Sequence, residues 1–226
     1  MKLGIISSMS IEIELILGNC KDVKEVQLKQ NIFYQCKFEK YELIVVSSGV
    51  GKTNASVYTQ ILIDHFEPDA VINTGVGGGL LDNLEPFDVV LGTSFSYHDV
   101  RLKQLKNTFP FKSQFKANRD LVTVFSEHFP EEKRGEVVSG ESFIDDSLEK
   151  EKIHKQHKAL IVDMETASMA HCCFINDIPF ISLTAISDLA DDLADKIYYE
   201  NDKEAADCAG NYLLEILKEE ENKLIN

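Results

Sequence analysis

Short apolar runs rich in branched residues alternate with stretches of helical spacing along the whole chain, and that alternation constrains its fold most. "KLGIIS" (2–7) reads as a buried strand, and "IEIELIL" begins a short helix behind it. "NIFYQCKFEKYELIVVSS" reads as a strand, a charged turn and a second strand. In "KTNASVYTQILIDHF" (52–66), Ala55, Val57/Tyr58, Ile61/Leu62 and Phe66 recur near one helical face, and Pro68 stops the helix. "AVINTG" (70–75) is a strand running into glycines, and "DVVLGTSFSYH" supplies another. A helix is expected over about 118–128, ahead of "RGEVVSG". "ALIVDM" (159–164), "ETASMAHCCFIND" and "PFISLTAISD" (179–188) read as strand, helix and strand, and "DKEAADCAGNYLLEILKEEENKL" as an amphipathic final helix. Alternating strands and helices predict an α/β fold whose largely parallel sheet lies between helices. No repeat, low-complexity linker or charge block divides the 226 residues, so one domain over 1–226 is expected.

Charge narrows the partners. The 38 acidic side chains outnumber the 23 basic ones, for a net charge of -15. Such a field repels nucleic-acid phosphates and anionic lipid, and neither is expected to bind. No apolar run approaches the roughly 18 residues of a membrane span. "MKLGIISSMSIEIELI" lacks the long uncharged stretch of a secretory signal, so a cytoplasmic location is expected. The five cysteines (20, 36, 172, 173, 208) form no CxxC pair and are odd in number, as for reduced thiols. His154 and His157 fall in the lysine-rich "EKIHKQHK", which reads as a solvated helix face, and no metal site is expected.

"SSGVGKTNA" (47–55) has the look of a phosphate-gripping P-loop. That loop needs a glycine five residues before its last Gly-Lys, and the chain has Val46 there, inside an apolar strand. The stretch therefore reads as a strand-to-helix turn, with Lys52 a solvated first-turn lysine. In α/β sheets ligands bind beyond the carboxyl ends of strands. That rule picks out Glu12, the glycines at 77–79, Glu165 and Asp188. Three carboxylates converging on a glycine-rich floor fit acid/base work or hydroxyl binding. Each also has a plainer explanation: Glu12 and Glu165 as first-turn glutamates favoured by a helix dipole, Asp188 as a cap ahead of "LADDLADKI". The run 75–79 is no dinucleotide fingerprint, because Leu80 stands where the third glycine is required.

Seven stretches, "KLGIISSMSIEIELI", "SGVGKTNA", "PDAVINTGVGGGL", "YHD", "VSGESFI", "VDMETASMAH" and "AISDLAD", carry a resemblance in their order and spacing. Over nearly its whole length the chain resembles the methylthioadenosine/S-adenosylhomocysteine nucleosidases of the nucleoside phosphorylase superfamily. The resemblance implies a three-layer αβα sandwich around a central mixed, partly barrel-like sheet. It implies hydrolysis of the N-glycosidic bond of adenine (thio)nucleosides, with water and no cofactor, by a homodimer whose partner chain closes the site. By matching position, Glu12 would activate the water, Asp188 would protonate adenine N7, and Glu165 would hold the ribose hydroxyls. Met164 would lie against the ribose, and Phe143, Ile144 and Ser187 around the adenine. Met9 and Tyr198 would line the pocket for the 5′ alkylthio group, with Val76 and Gly77 in the floor. Two positions depart from the family pattern: Val76 replaces a serine and Thr184 an arginine, and the segment after Asp99 is shorter than usual. For Asp188 to donate near neutrality its pKa must rise above roughly 3.9, with burial as the expected cause. Glu12 must stay ionised, so the two environments are expected to differ. Two alternatives remain at this point: a phosphorylase, for which Arg101 is the one nearby arginine, and a homologue that binds adenosine-like ligands without turnover.

Overall fold

The computed structural model describes residues 1–28 and 30–224. The ends of the expected 1–226 unit, Ile225 and Asn226, lie outside the described residues, as does Lys29. The chain opens β1 (Lys2–Ser7), α1 (Ile11–Asn19), β2 (Lys21–Leu28), β3 (Asn31–Phe38), β4 (Tyr41–Ser47) and α2 (Lys52–Phe66). It continues β5 (Ala70–Gly79), β6 (Val89–Tyr97), α3 (Leu102–Asn107), β7 (Phe115–Lys116), α4 (Arg119–Phe125) and β8 (Arg134–Ser139). It ends α5 (Ser147–His157), β9 (Ile161–Asp163), α6 (Thr166–Ile175), β10 (Phe180–Asp188), α7 (Ala194–Glu219) and α8 (Glu221–Leu224).

Among the described residues the strands make one 10-stranded sheet in the order β10-β6-β8-β9-β5-β1-β4-β3-β2, with β7 on β6. Because β10 also pairs with β5, the strands β5, β10, β6, β8 and β9 close on themselves as a small barrel. The other strands extend from β5 as an open wing. The mixed, partly barrel-like sheet is thus present, but the largely parallel sheet read from the alternation is not. β2–β3, β3–β4, β5–β9, β6–β10 and β6–β7 run antiparallel. Short connections make hairpins, such as the β3–β4 turn with Glu39 at φ 49°, and closure sets β10 antiparallel to β6.

Two apolar layers sandwich the wing. Leu3, Ile5, Leu43 and Val45 face Ile16, Leu213 and Leu217 of α1 and α7. The alternate residues Ile6, Ile44 and Val46 face Ala55 and Leu62 of α2 and Ala167 and Ala170 of α6. This is the period-two alternation of a strand buried on both faces. At Gly4 a Cβ would lie 2.7 Å from Leu62 Cδ2, so the missing side chain lets α2 sit close against β1.

Several expectations shift. The buried stripe of α2 is Ala55, Thr59, Leu62 and Ile63, while Val57 is half exposed. The sheet takes the i, i+4, i+7, i+8 stripe rather than the most apolar one. β5 does not stop at Gly75 but continues through the glycines to Gly79, and α7 begins at Ala194, eight residues before the expected start at Asp202. His157 is not solvated: with Ile153 it forms the buried side of α5, and its Nδ1 lies 3.1 Å from Ser96 Oγ. His154 Nδ1 lies 3.1 Å from the Ala159 carbonyl oxygen. All five cysteines are free thiols. Among the described residues no helix is long and apolar enough to cross a membrane.

Candidate active site

Glu12 sits in the first turn of α1, where the chain leaves the end of β1, and it is buried. Its Oε2 accepts from Ser8 Oγ at 2.9 Å and from the Met9 N–H at 2.7 Å. Its Oε1 accepts from the Val76 N–H on β5 at 3.0 Å. A Cβ at Gly75 would stand 2.9 Å from that same oxygen, so only glycine lets the carboxylate lie this close to the strand. Burial raises the Glu12 pKa from 4.5 to about 7, against the opposing pull of the Met9, Ser8 and Val76 hydrogen bonds.

Asp188 ends β10 and is almost fully buried. Ser187 Oγ donates to its Oδ2 at 2.8 Å and the Ala190 N–H to its Oδ1 at 2.8 Å. Because α7 starts only at Ala194, Asp188 is not its cap. Burial is the largest influence on its carboxyl and raises its pKa. The expected contrast with Glu12 is therefore absent in direction, since one cause, desolvation, pushes both groups upward.

Glu165 directly precedes α6, and its Oε1 accepts from the Gly51 N–H at 2.6 Å. Next to it lies Asp163, buried and hydrogen-bonded by Ser139 Oγ, Thr166 Oγ1 and the Glu165 N–H. Burial first, then the charge of Asp163, pushes the Glu165 carboxyl well above its usual range. Among the described residues no group of three or more His, Cys, Asp or Glu is arranged to hold a metal ion.

A cavity of about 400 Å³ opens at these strand ends. Met9, Val76, Gly77, Phe143, Ile144, Met164, Glu165, Ser187, Asp188 and Tyr198 all line it. Tyr198 OH donates to Met9 Sδ at 3.1 Å, and its ring stands edge-on to Phe143 at 5.6 Å, so three distant segments form one apolar corner. Glu12 does not line the main cavity. It faces a recess of about 10 Å³, shared with Asn73, Gly75 and Thr184 and bordered by Ser8, Val76, Asp163 and Glu165, which also line the cavity. That volume is close to one water molecule. Thr184, buried in the recess wall, has its Oγ1 3.1 Å from Ser182 Oγ.

Other wall residues went unnamed in the sequence reading: Ser8, Val50, Asp145, Asp163, Asp195 and Tyr199 among them. Ser8 follows a strand end and was within reach of the strand-end rule. Asp195 and Tyr199 were out of reach, because they belong to the unexpected early turns of α7. Lys52 corrects the sequence reading. It is no solvated lysine: its Nζ lies 2.6 Å from Asp99 Oδ2, with the side chain 18% exposed. Arg101 precedes α3 and does not line the cavity, and among the described residues no Lys, Arg or His lines it.

The family model of the phosphorylase superfamily matches residues 2–218. The 5′-methylthioadenosine/S-adenosylhomocysteine nucleosidase of Staphylococcus carnosus is 33% identical, over 96% of this chain and 99% of the relative. The solved S-adenosylhomocysteine nucleosidase of Streptococcus pyogenes, in complex with 5-methylthiotubericidin, superposes with a TM-score of 0.91 at 31% identity, covering 97% of both chains. A futalosine hydrolase of Helicobacter pylori superposes with a TM-score of 0.90 at 28% identity, covering 97% of this chain and 98% of its own. With its closed strand ring, buried carboxylates and near full-length matches, the chain belongs to the phosphorylase superfamily and, within it, to the methylthioadenosine/S-adenosylhomocysteine nucleosidases.

Proposed function

We propose that this protein hydrolyses the N-glycosidic bond of adenine nucleosides such as 5′-methylthioadenosine and S-adenosylhomocysteine, releasing adenine. The observation that carries this is the pairing of a buried carboxyl on the cavity wall, Asp188, with a second, Glu12, in a water-sized recess behind it. In its protonated form Asp188 donates to adenine N7, which makes the base a better leaving group as the sugar gains oxocarbenium character. Glu12, ionised, takes a proton from the water that attacks C1′. Its three hydrogen-bond donors, Ser8 Oγ and the Met9 and Val76 N–H groups, orient the carboxylate for this. Glu165 accepts from the sugar hydroxyls, Met164 packs against the sugar, and Phe143, Ile144 and Ser187 surround the base. Met9 and Tyr198 take the 5′ substituent.

A lining without a single basic side chain supports water over phosphate as the nucleophile, since a phosphorylase must balance its anion. The test is adenine release from methylthioadenosine, S-adenosylhomocysteine, 5′-deoxyadenosine and 6-amino-6-deoxyfutalosine, with and without phosphate. Phosphate-dependent formation of a sugar 1-phosphate would overturn hydrolysis, and tight binding without adenine release would leave only a binding role. The same proposal includes a single domain, a cytoplasmic location and a homodimer. Supporting the dimer, Phe109 and Phe111 are each 67% exposed and Tyr199, on the cavity wall, 71%. Sedimentation velocity checks it.

A further inference from the structure

At the start of α2 a charged lattice lies behind the cavity wall. Lys52 Nζ reaches both oxygens of Asp99, at 2.8 and 2.6 Å, and lies 5.3 Å from the centre of the Tyr97 ring. Asp99 Oδ2 also accepts from the Glu141 N–H at 2.9 Å, and Glu141 Oε1 accepts from the Lys52 N–H at 3.2 Å. One residue earlier, Gly51 donates its N–H to Glu165. Gly51 has φ 98°, where a side chain would strain the backbone, and a Cβ there would come 2.9 Å from Glu141 Oε2. Two carboxylates, Asp99 and Glu141, thus flank a turn whose basic side chain is Lys52.

We propose that Lys52 is a positioning residue for sugar recognition. Through Asp99 and Glu141 it fixes the turn whose Gly51 N–H orients Glu165. Through the same contacts it ties down the segment that begins at Glu141 and carries Phe143 and Ile144 into the cavity wall. Removing the ammonium leaves Asp99, which it holds through both oxygens, without its counter-charge; the Asp99 grip on the Glu141 N–H loosens, and the turn relaxes away from Glu165. This rests on Glu165 holding the sugar hydroxyls.

The test measures kcat and KM for 5′-methylthioadenosine and its 2′-deoxy and 3′-deoxy analogues in the wild type, Lys52→Met, Lys52→Arg and Glu165→Gln. Losing a charge-assisted contact at the sugar should lower kcat/KM for the parent about ten- to a hundredfold in Lys52→Met. Each deoxy analogue keeps only one of the two hydroxyls and should lose less, so the parent-to-deoxy ratio shrinks, and Lys52→Arg should restore most of it. An equal loss on all three substrates would mean a merely structural role and overturn the proposal. If Glu165→Gln leaves the ratio intact, the sugar role of Glu165 fails and the Lys52 proposal with it. If Glu165→Gln collapses the ratio and Lys52→Met does not, only the Lys52 proposal fails. Should Lys52→Met not fold, Asp99→Asn keeps the side-chain shape and gives the same ratio test.

Discussion

Glu12 and Asp188 are drawn from one residue type, the carboxylic acid, and differ in the donors around them. General acid–base assistance contributes about 10²–10⁴-fold, so Asp188→Asn and Glu12→Gln should each cut kcat by that order while the far-ultraviolet circular dichroism is unchanged. Near-wild-type turnover in either variant would remove that residue from the mechanism. The proposed mechanism needs Glu12 ionised, so kcat/KM should climb with pH through about 7, and a profile without that limb would contradict it. The same shift has a sign for stability. Folded Glu12 holds its proton more tightly than the unfolded chain does, so its contribution is fully present below 4.5 and is lost as pH rises through about 7. The Tm should therefore fall between about pH 5 and about pH 8, and less so in Glu12→Gln, where no proton is released. Single residues were legible where a strand ends: Glu12, Glu165 and Asp188 could each be found from the apolar run before them. Lys52 was not, because its partner Asp99 is 47 residues away and nothing local announces the pairing.

At the scale of elements, β5 carries most of the design. Its glycines are places where other groups come too close for a side chain. At Gly77 a Cβ would lie 2.7 Å from Ile161 Cγ2 and 2.9 Å from the Val162 carbonyl oxygen, where β9 packs. Overpacking of this kind costs about 1–3 kcal/mol, so Gly77→Ala should lower the denaturation midpoint accordingly. Gly75→Ala should instead strike activity harder than stability, because its methyl group displaces the Glu12 carboxylate. Equal activity in wild type and Gly75→Ala would show that the carboxylate's place is not critical. β1 and β4 were readable from their apolar runs, and β10 from Phe180, Ile181, Leu183, Ala185 and Ile186 behind Pro179. β2 was not: it is largely solvent-exposed, and in "KDVKEVQL" only Val26 and Leu28 pack, partly buried, against the core. Ring closure was invisible locally too, since the register of Phe180 against Val71 joins strands far apart in the chain.

For the whole molecule, charge is the property that sorts ligands. The net charge of -15 surrounds a cavity whose wall includes Asp145 and Asp195 and no basic side chain among the described residues. Like charges brought together cost several kcal/mol, so adenosine 5′-monophosphate should be cleaved at least about a hundredfold less efficiently than methylthioadenosine. Added salt should narrow that gap as screening shortens the field. Comparable cleavage of the two at low salt would show that the acidic wall does not govern selection. Composition alone disclosed the sign of this field. It could not disclose that the cavity has no basic lining, because that depends on Lys52 being spent on Asp99 and Arg101 lying away from the wall.

The pairing that closes the barrel bears on how such an enzyme can change. Val76, whose N–H holds Glu12, is in register with Ala185, and Asp188 with Gly78, so the proposed acid and base are both referenced to the β5–β10 pair. Much of the rest of the wall comes from outside that pair, from the segment around Phe143 and from the early turns of α7. The catalytic spacing is thereby inherited from a rigid ruler, while recognition is left to exchangeable parts. Descendants of this chain can trade those parts and acquire new nucleosides without rebuilding the step that breaks the bond.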